Sequence, residues 1–152
     1  MFADYEAVIL KAEDIDKYCG LNYCWYKVKE FQEAMDLPHR DIPELMLEQR
    51  ARERYDYMLE ELNEFIESQT VVDQADAMID LIYFAIGTLV EMGVKPQALF
   101  DIVQEANMSK LWPDGKPRFR EEDLKVIKPA GWESPEPKIE AEINKQIEEG
   151  RE

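Results

Sequence analysis

Apolar residues recur along this chain at the spacing of helical faces. Between Tyr23 and Met35, Trp25, Val28, Phe31 and Met35 fall at helical intervals. Asp36-Leu37-Pro38 stops that run, because a residue before proline avoids the helical region. Pro43 suits a first helical turn. The helix it opens runs to about Gln69 on a stripe of Leu47, Ala51, Tyr55, Met58, Leu59, Leu62, Phe65 and Ile66. After Ser68-Gln69-Thr70, a new helix starts at Val71 or Asp73 and closes at Gly93, with Pro96 just beyond. Its stretch from Ala75 to Val90 is apolar all round, the pattern of a fully buried helix, apart from Asp76 and Asp80. Lys95-Pro96 opens a helix through about Met108, and Tyr5 to about Lys17 reads as another. Beyond Lys110 come proline, glycine and mixed charge, a loop-rich segment with room for a short hairpin. Lys138 to Glu149 reads as a short solvated helix or a frayed tail. The pattern predicts an all-α bundle of four to five helices with a loop-rich C-terminal tail. One domain covers residues 1–137, and an acidic helix or tail covers 138–152.

Length and charge narrow the function. At 152 residues the chain makes one domain with a real core. Its 34 acidic residues against 18 basic ones leave a formal net charge of −16, which argues against nucleic acid or an anionic membrane as partner. No apolar run approaches the roughly 20 residues that span a bilayer. The N-terminus lacks a basic region followed by a clean apolar one, so no secretory signal is read there. Cys19 and Cys24, with the single His39, argue against a zinc site, and the expectation is a reduced, cytoplasmic protein.

The acids carry the chemistry. Asp76 and Asp80 sit four residues apart on one face of an apolar helix, where bare carboxylates are costly unless paired or holding a metal. The preceding helix carries Glu60, Glu61 and Glu64. Two helices presenting carboxylates to each other make a site for a hard divalent cation such as Mg²⁺, with Mn²⁺ as substitute, and so for phosphate chemistry. The alternative for the glutamates is a solvated acidic face. Asp73 lies on the side of Asp80 but also at a helix start, where an acid serves as a cap; both roles stay open. Asn107 and Lys110, with Lys116 and Lys128 on following loops, suit triphosphate oxygens or a base edge; the alternative is a cation at a helix C-terminus. Trp25, Phe31 and Tyr83 offer either core packing or a stacking surface for a base.

At these residues the chain resembles the MazG-like, all-α nucleoside triphosphate pyrophosphohydrolases, whose members show E-x-x-E on one helix and E-x-x-D on the next. Glu61-x-x-Glu64 matches the first motif, and Asp80-Leu81-Ile82-Tyr83 matches the end of the second. The motif's other glutamate is replaced by Ala77, and Asp76 or Asp73 is its candidate substitute. The string A-D-x-x-x-D-L-x-Y-x-x-x-G-T, then A-N-M-S-K-L, D-G-K and K-P, is similar to a bacterial and phage subgroup that includes the MazZ-type dATP/dGTP diphosphohydrolases. The resemblance spans roughly Lys27 to Pro137. It implies hydrolysis between the α- and β-phosphates, with two or more divalent ions held by Glu61, Glu64, Asp80, Asp76 and Glu60. Glu61 or Glu60 would take the proton of the attacking water, and Asn107, Lys110, Lys116 and Lys128 would bind substrate. It also implies purine deoxynucleotides as substrates, dGTP before dATP, and a homodimer or homotetramer. The alternatives are a dUTP/dCTP diphosphohydrolase, a hydrolase of non-canonical nucleotides and, placed last because of N-M-S-K, a phosphoribosyl-ATP hydrolase. Outside enzymes the rival is an acidic helical module that binds a metal or a protein.

Overall fold

In the computed structural model, which describes residues 19–152, five helices follow one another: α1 (Gly20–Ala34), α2 (Glu48–Glu67), α3 (Val71–Met92), α4 (Gln97–Met108) and α5 (Glu136–Glu149). The expected helix over residues 5–17 lies outside the described residues. The only pairing of extended backbone among them is an isolated antiparallel bridge, Phe119 with Val126, in a small hairpin of the tail. The class is all-α, as expected.

Helices α2 and α3 form an antiparallel hairpin, and α1 packs on α3. Thr70 caps α3: its hydroxyl accepts from the Asp73 amide at 3.1 Å and donates to the Asp73 carboxylate at 2.7 Å. At the other end Gly93 takes the left-handed conformation with φ of 72°, and the Val94 amide reaches back to the Leu89 carbonyl at 2.9 Å. A Cβ on Gly93 would stand 2.4 Å from the Ile42 carbonyl oxygen, so close approach as well as φ requires glycine. The apolar core is small: Trp25 and Val28 of α1 against Ile86 and Val90 of α3.

Three expectations need correcting. The helix after Pro43 begins only at Glu48, because the preceding segment is held extended on the end of α3. The Arg40 amide donates to the Val90 carbonyl at 3.1 Å and the Glu44 amide to the Met92 carbonyl at 2.9 Å, both in the last turn of the helix. The terminal segment takes the helical one of its two readings, but it is docked rather than solvated throughout. Its buried Gln146 accepts from the Lys95 amide at 2.9 Å and donates to the Lys95 carbonyl at 3.1 Å. Finally, α3 is buried on one side only within the single chain, with Ile79 61% and Ile82 51% exposed.

The α2–α3 contact is built on charge. The face of α2 turned to α3 carries Arg50, Arg54 and Tyr57, while the predicted stripe leaves Tyr55, Leu59, Leu62 and Ile66 substantially exposed. Buried Arg54 donates to the Thr88 hydroxyl at 3.0 Å, the Glu91 carboxylate at 3.3 Å and the Phe84 carbonyl. Arg50 grips the same Glu91 through two nitrogens, at 2.8 and 2.7 Å. Glu91 raises the proton affinity of Arg50, whereas burial lowers that of Arg54. Gly87 leaves room for this network, since a Cβ there would fall 2.8 Å from an Arg54 nitrogen.

Glu91→Ala would strand two arginines and should destabilise the chain by about 3–5 kcal/mol in denaturant titration. Gly87→Ala should cost about 1–3 kcal/mol by crowding Arg54. A loss below about 1 kcal/mol for Glu91→Ala would show that the network does not hold the hairpin.

Candidate active site

The hairpin register places the acids. Arg50 meets Glu91, Arg54 meets Thr88, and the Tyr57 ring lies 5.7 Å from that of Phe84. Continued toward the turn, this register sets Glu61 opposite Asp80 and Glu64 opposite Ala77. The C-terminal half of α2 and the N-terminal half of α3 therefore present their acids at the turn end of the hairpin. Arg50 and Arg54 lie toward the other end, engaged with Glu91.

Burial falls on a different acid from the one expected. Asp76 and Asp80 are exposed, whereas Glu61 is only 8% exposed. One Glu61 oxygen, Oε2, has no hydrogen-bond partner. Burial pushes the Glu61 carboxyl above the usual carboxylate range, and the fields of Glu64, Asp80, Glu60 and Asp76, in that order, push it further. Four of the five predicted acids thus act on the fifth, Glu61. Among the described residues no three acidic, histidine or cysteine side chains converge tightly enough to grip one ion as they stand. The carboxylates share a face but stay spread, as like charges do.

Ala77, at the position where the resemblance calls for glutamate, is buried in the hairpin. Asp73 is engaged with its own cap at Thr70, which supports its capping role. Asp76 is the neighbour of Ala77 that contributes to the field at Glu61.

The predicted substrate residues stand apart from the acids. Helix α4 packs on α1 and α5, and its backbone comes close to neither α2 nor α3. Lys110 donates to the Asn107 side-chain carbonyl at 2.7 Å, which joins these two as expected. Lys128 lies 3.8 Å and Lys110 5.8 Å from the centre of the Trp132 ring. Lys116 is held in a tight turn, its amide donating to the Asp114 carboxylate at 3.0 Å. Of the candidate stacking aromatics, Trp25 is core, and Phe31 and Tyr83 meet edge to face at 5.9 Å.

A cleft of about 470 Å³ lies between α4 and the tail and includes none of the five acids. The acid face is the better candidate for hydrolysis, because it holds the one buried carboxylate with an unmatched oxygen among the described residues. Sequence reasoning missed Arg50, Arg54 and Glu91. The visible sign was two arginines one turn apart beside an apolar stripe, with a lone glutamate at the end of the apolar helix.

Residues 28–107 match the family described as phosphoribosyl-ATP pyrophosphohydrolase. A solved structure of a protein from Exiguobacterium sp. 255-15, provisionally named an NTP pyrophosphohydrolase, is 34% identical to this chain. The match covers 82% of this chain and 96% of that one, with a TM-score of 0.50. Comparison with curated proteins gives no match. The family match contains both acidic segments and Asn107, whereas Lys110, Lys116 and Lys128 follow it. Among the described residues no single helix is long and apolar enough to cross a membrane. With both acid clusters inside the matched span, the non-enzymatic alternative gives way to a hydrolase of acid anhydrides. This chain belongs to the phosphoribosyl-ATP pyrophosphohydrolase family, with its MazG-like all-α fold.

Proposed function

We propose that this chain is a divalent-cation-dependent diphosphohydrolase of nucleoside triphosphates. It cleaves between the α- and β-phosphates to release a nucleoside monophosphate and pyrophosphate. Purine deoxynucleotides are the preferred substrates, dGTP before dATP, as the likeness to MazZ-type enzymes implies. The observation that carries the reading is Glu61, buried, with one oxygen unpartnered and four further carboxylates acting on it.

That donor set fits Mg²⁺ or Mn²⁺, since hard carboxylate oxygens are their preferred ligands and a cation would relieve the unmatched Glu61 oxygen. Glu61, Glu64, Asp80 and Asp76 would hold two or more ions, with Glu60 at the margin. Bound there, the ions would neutralise the triphosphate and lower the pKa of water. Glu61 holds a proton more readily than an ordinary carboxylate, the direction a general base needs. Glu60, its exposed neighbour, is the second candidate for that role. Asn107, Lys110, Lys116 and Lys128 contact the substrate. A homodimer or homotetramer accounts for two observations: these cations stand apart from the acids within one chain, and apolar residues of α2 and α3 face outward. The family's description favours phosphoribosyl-ATP as a second reading.

A panel of dGTP, dATP, dUTP, dCTP and phosphoribosyl-ATP, assayed for pyrophosphate release with Mg²⁺ and Mn²⁺, tests the substrate. Best turnover of dUTP or of phosphoribosyl-ATP would replace the purine reading. Asp80→Asn and Glu64→Gln should each abolish turnover, Asp76→Asn should lower it by a smaller factor, and all three should keep the fold. Lys110→Ala should lower kcat/KM at least tenfold, about 1.4 kcal/mol, without changing metal binding. Light scattering at micromolar concentration should show a dimer or tetramer, and a monomer would remove the assembly.

Stability offers a check that needs no substrate. The raised pKa means the native chain binds the Glu61 proton more tightly than the unfolded chain does, so ionised Glu61 opposes folding. In buffer with chelator, Glu61→Gln should raise Tm at about pH 7.5, with the gain shrinking as pH falls through the folded pKa toward the unfolded one. A variant less stable than wild type at neutral pH would contradict the burial assigned to Glu61.

A further inference from the structure

We infer that the cleft between α4 and the tail is a nucleotide-binding site, with Trp132 as the wall against which a base stacks. It rests on the proposed function only in that its ligand is the same class of molecule. The cleft holds about 470 Å³, inside the range of small-molecule pockets; Ile102, Leu111, Pro129 and Pro135 line it beside Trp132, and Glu105, Glu133 and Lys138 are its charged lining. The indole is fixed in place, its Nε1 donating to the Ala106 carbonyl of α4 at 2.9 Å. A rigid aromatic wall among apolar neighbours suits a flat heteroaromatic ring.

The cations supply the other half of the ligand. Lys128 sits 3.8 Å and Lys110 5.8 Å from the centre of the same indole ring, yet neither lines the cleft. The indole that lines the cleft thus also stands against a pair of lysines, and a base stacked on it would bring its phosphates within reach of those ammonium groups. Lys138 lines the cleft itself, and its exposed pairing with Glu105 at 3.0 Å is weak enough to yield to a phosphate. In a chain of net charge −16, two lysines beside one indole and a third that lines the cleft mark the place where an anion is tolerated. The ligand is therefore a nucleoside phosphate. It arrives either as the substrate of a second copy's acid face or as an effector, because the backbone of α4 stands away from the acid-bearing helices of its own chain.

Calorimetry with dGMP in chelator, with no metal and no turnover, reads this cleft independently of catalysis. Wild type should bind, Trp132→Ala should weaken binding at least tenfold, and Trp132→Phe should restore most of it. Ala130→Phe, which fills the cleft from an exposed position, should abolish binding while the melting temperature holds. Equal affinity in wild type, Trp132→Ala and Ala130→Phe would overturn the inference, as would an absence of binding by wild type. Mixing Glu61→Gln with Trp132→Ala chains separates the two sources: recovered turnover means a site shared between copies, and dGMP-dependent activation of wild type means an effector site. Pyrophosphate release by wild type decides the proposed function separately, whatever the calorimetry shows.

Discussion

The ion pair between Arg54 and Glu91, reinforced by Arg50, is the contact on which the rest of the molecule depends. Both members are buried, and a buried charge without its partner is costly, so the pair tolerates one alignment of α2 on α3. Apolar side chains are less exacting. A slide of one helical turn, about 5.4 Å, would exchange one aliphatic contact for another but would strand both arginines. The acids lie farther along the same two helices, so the alignment that satisfies Arg54 also sets Glu61 opposite Asp80. Charge pairing at one end of the hairpin fixes where unlike helices bring like charges together at the other.

What the sequence made legible was mostly local. Gly93 closes α3 and Thr70 opens it through groups within one turn, and Pro38 lies beyond the end of α1. The start of α2 was not legible. The amides of Arg40 and Glu44 are engaged by carbonyls of Val90 and Met92, partners far away in sequence that helical periodicity cannot register. The same holds for α5, where charge-rich composition reads as a solvated tail. One amide side chain, Gln146, docks it on the Lys95 backbone.

For the site, residue type was legible and burial was not. The cluster of Glu60, Glu61, Glu64, Asp76 and Asp80 could be named from spacing, and the other four act on Glu61. An apolar helix suggested that its aspartates were the buried acids. Yet α3 turns Ala77 and Ile86 inward and leaves Asp76 and Asp80 at the surface, while charged α2 buries Glu61. A hydrophobic pattern measures how much of a helix can be buried, not which side a neighbour covers. Here the covering side of α2 was chosen by Arg54, whose guanidinium needs Thr88, Phe84 and Glu91, and Gly87 in that turn of α3 is the residue that lets it in.

The distribution of charge divides the molecule in the same way. The turn end of the hairpin concentrates carboxylates without a basic residue among them, and by itself it repels a triphosphate. Between Lys110 and Lys128, by contrast, six basic residues stand against four acidic ones, and three of these cations lie over tryptophan rings: Lys110 and Lys128 on Trp132, Arg118 on Trp112. The family match ends at residue 107, so the acids fall within the shared part of the chain and nearly all of this basic arm falls after it. A polyanion needs both halves, one to bring metal charge to the bond that breaks and one to hold the rest of the ligand. A fold that keeps the halves on separate helices can vary the second without disturbing the register that creates the first.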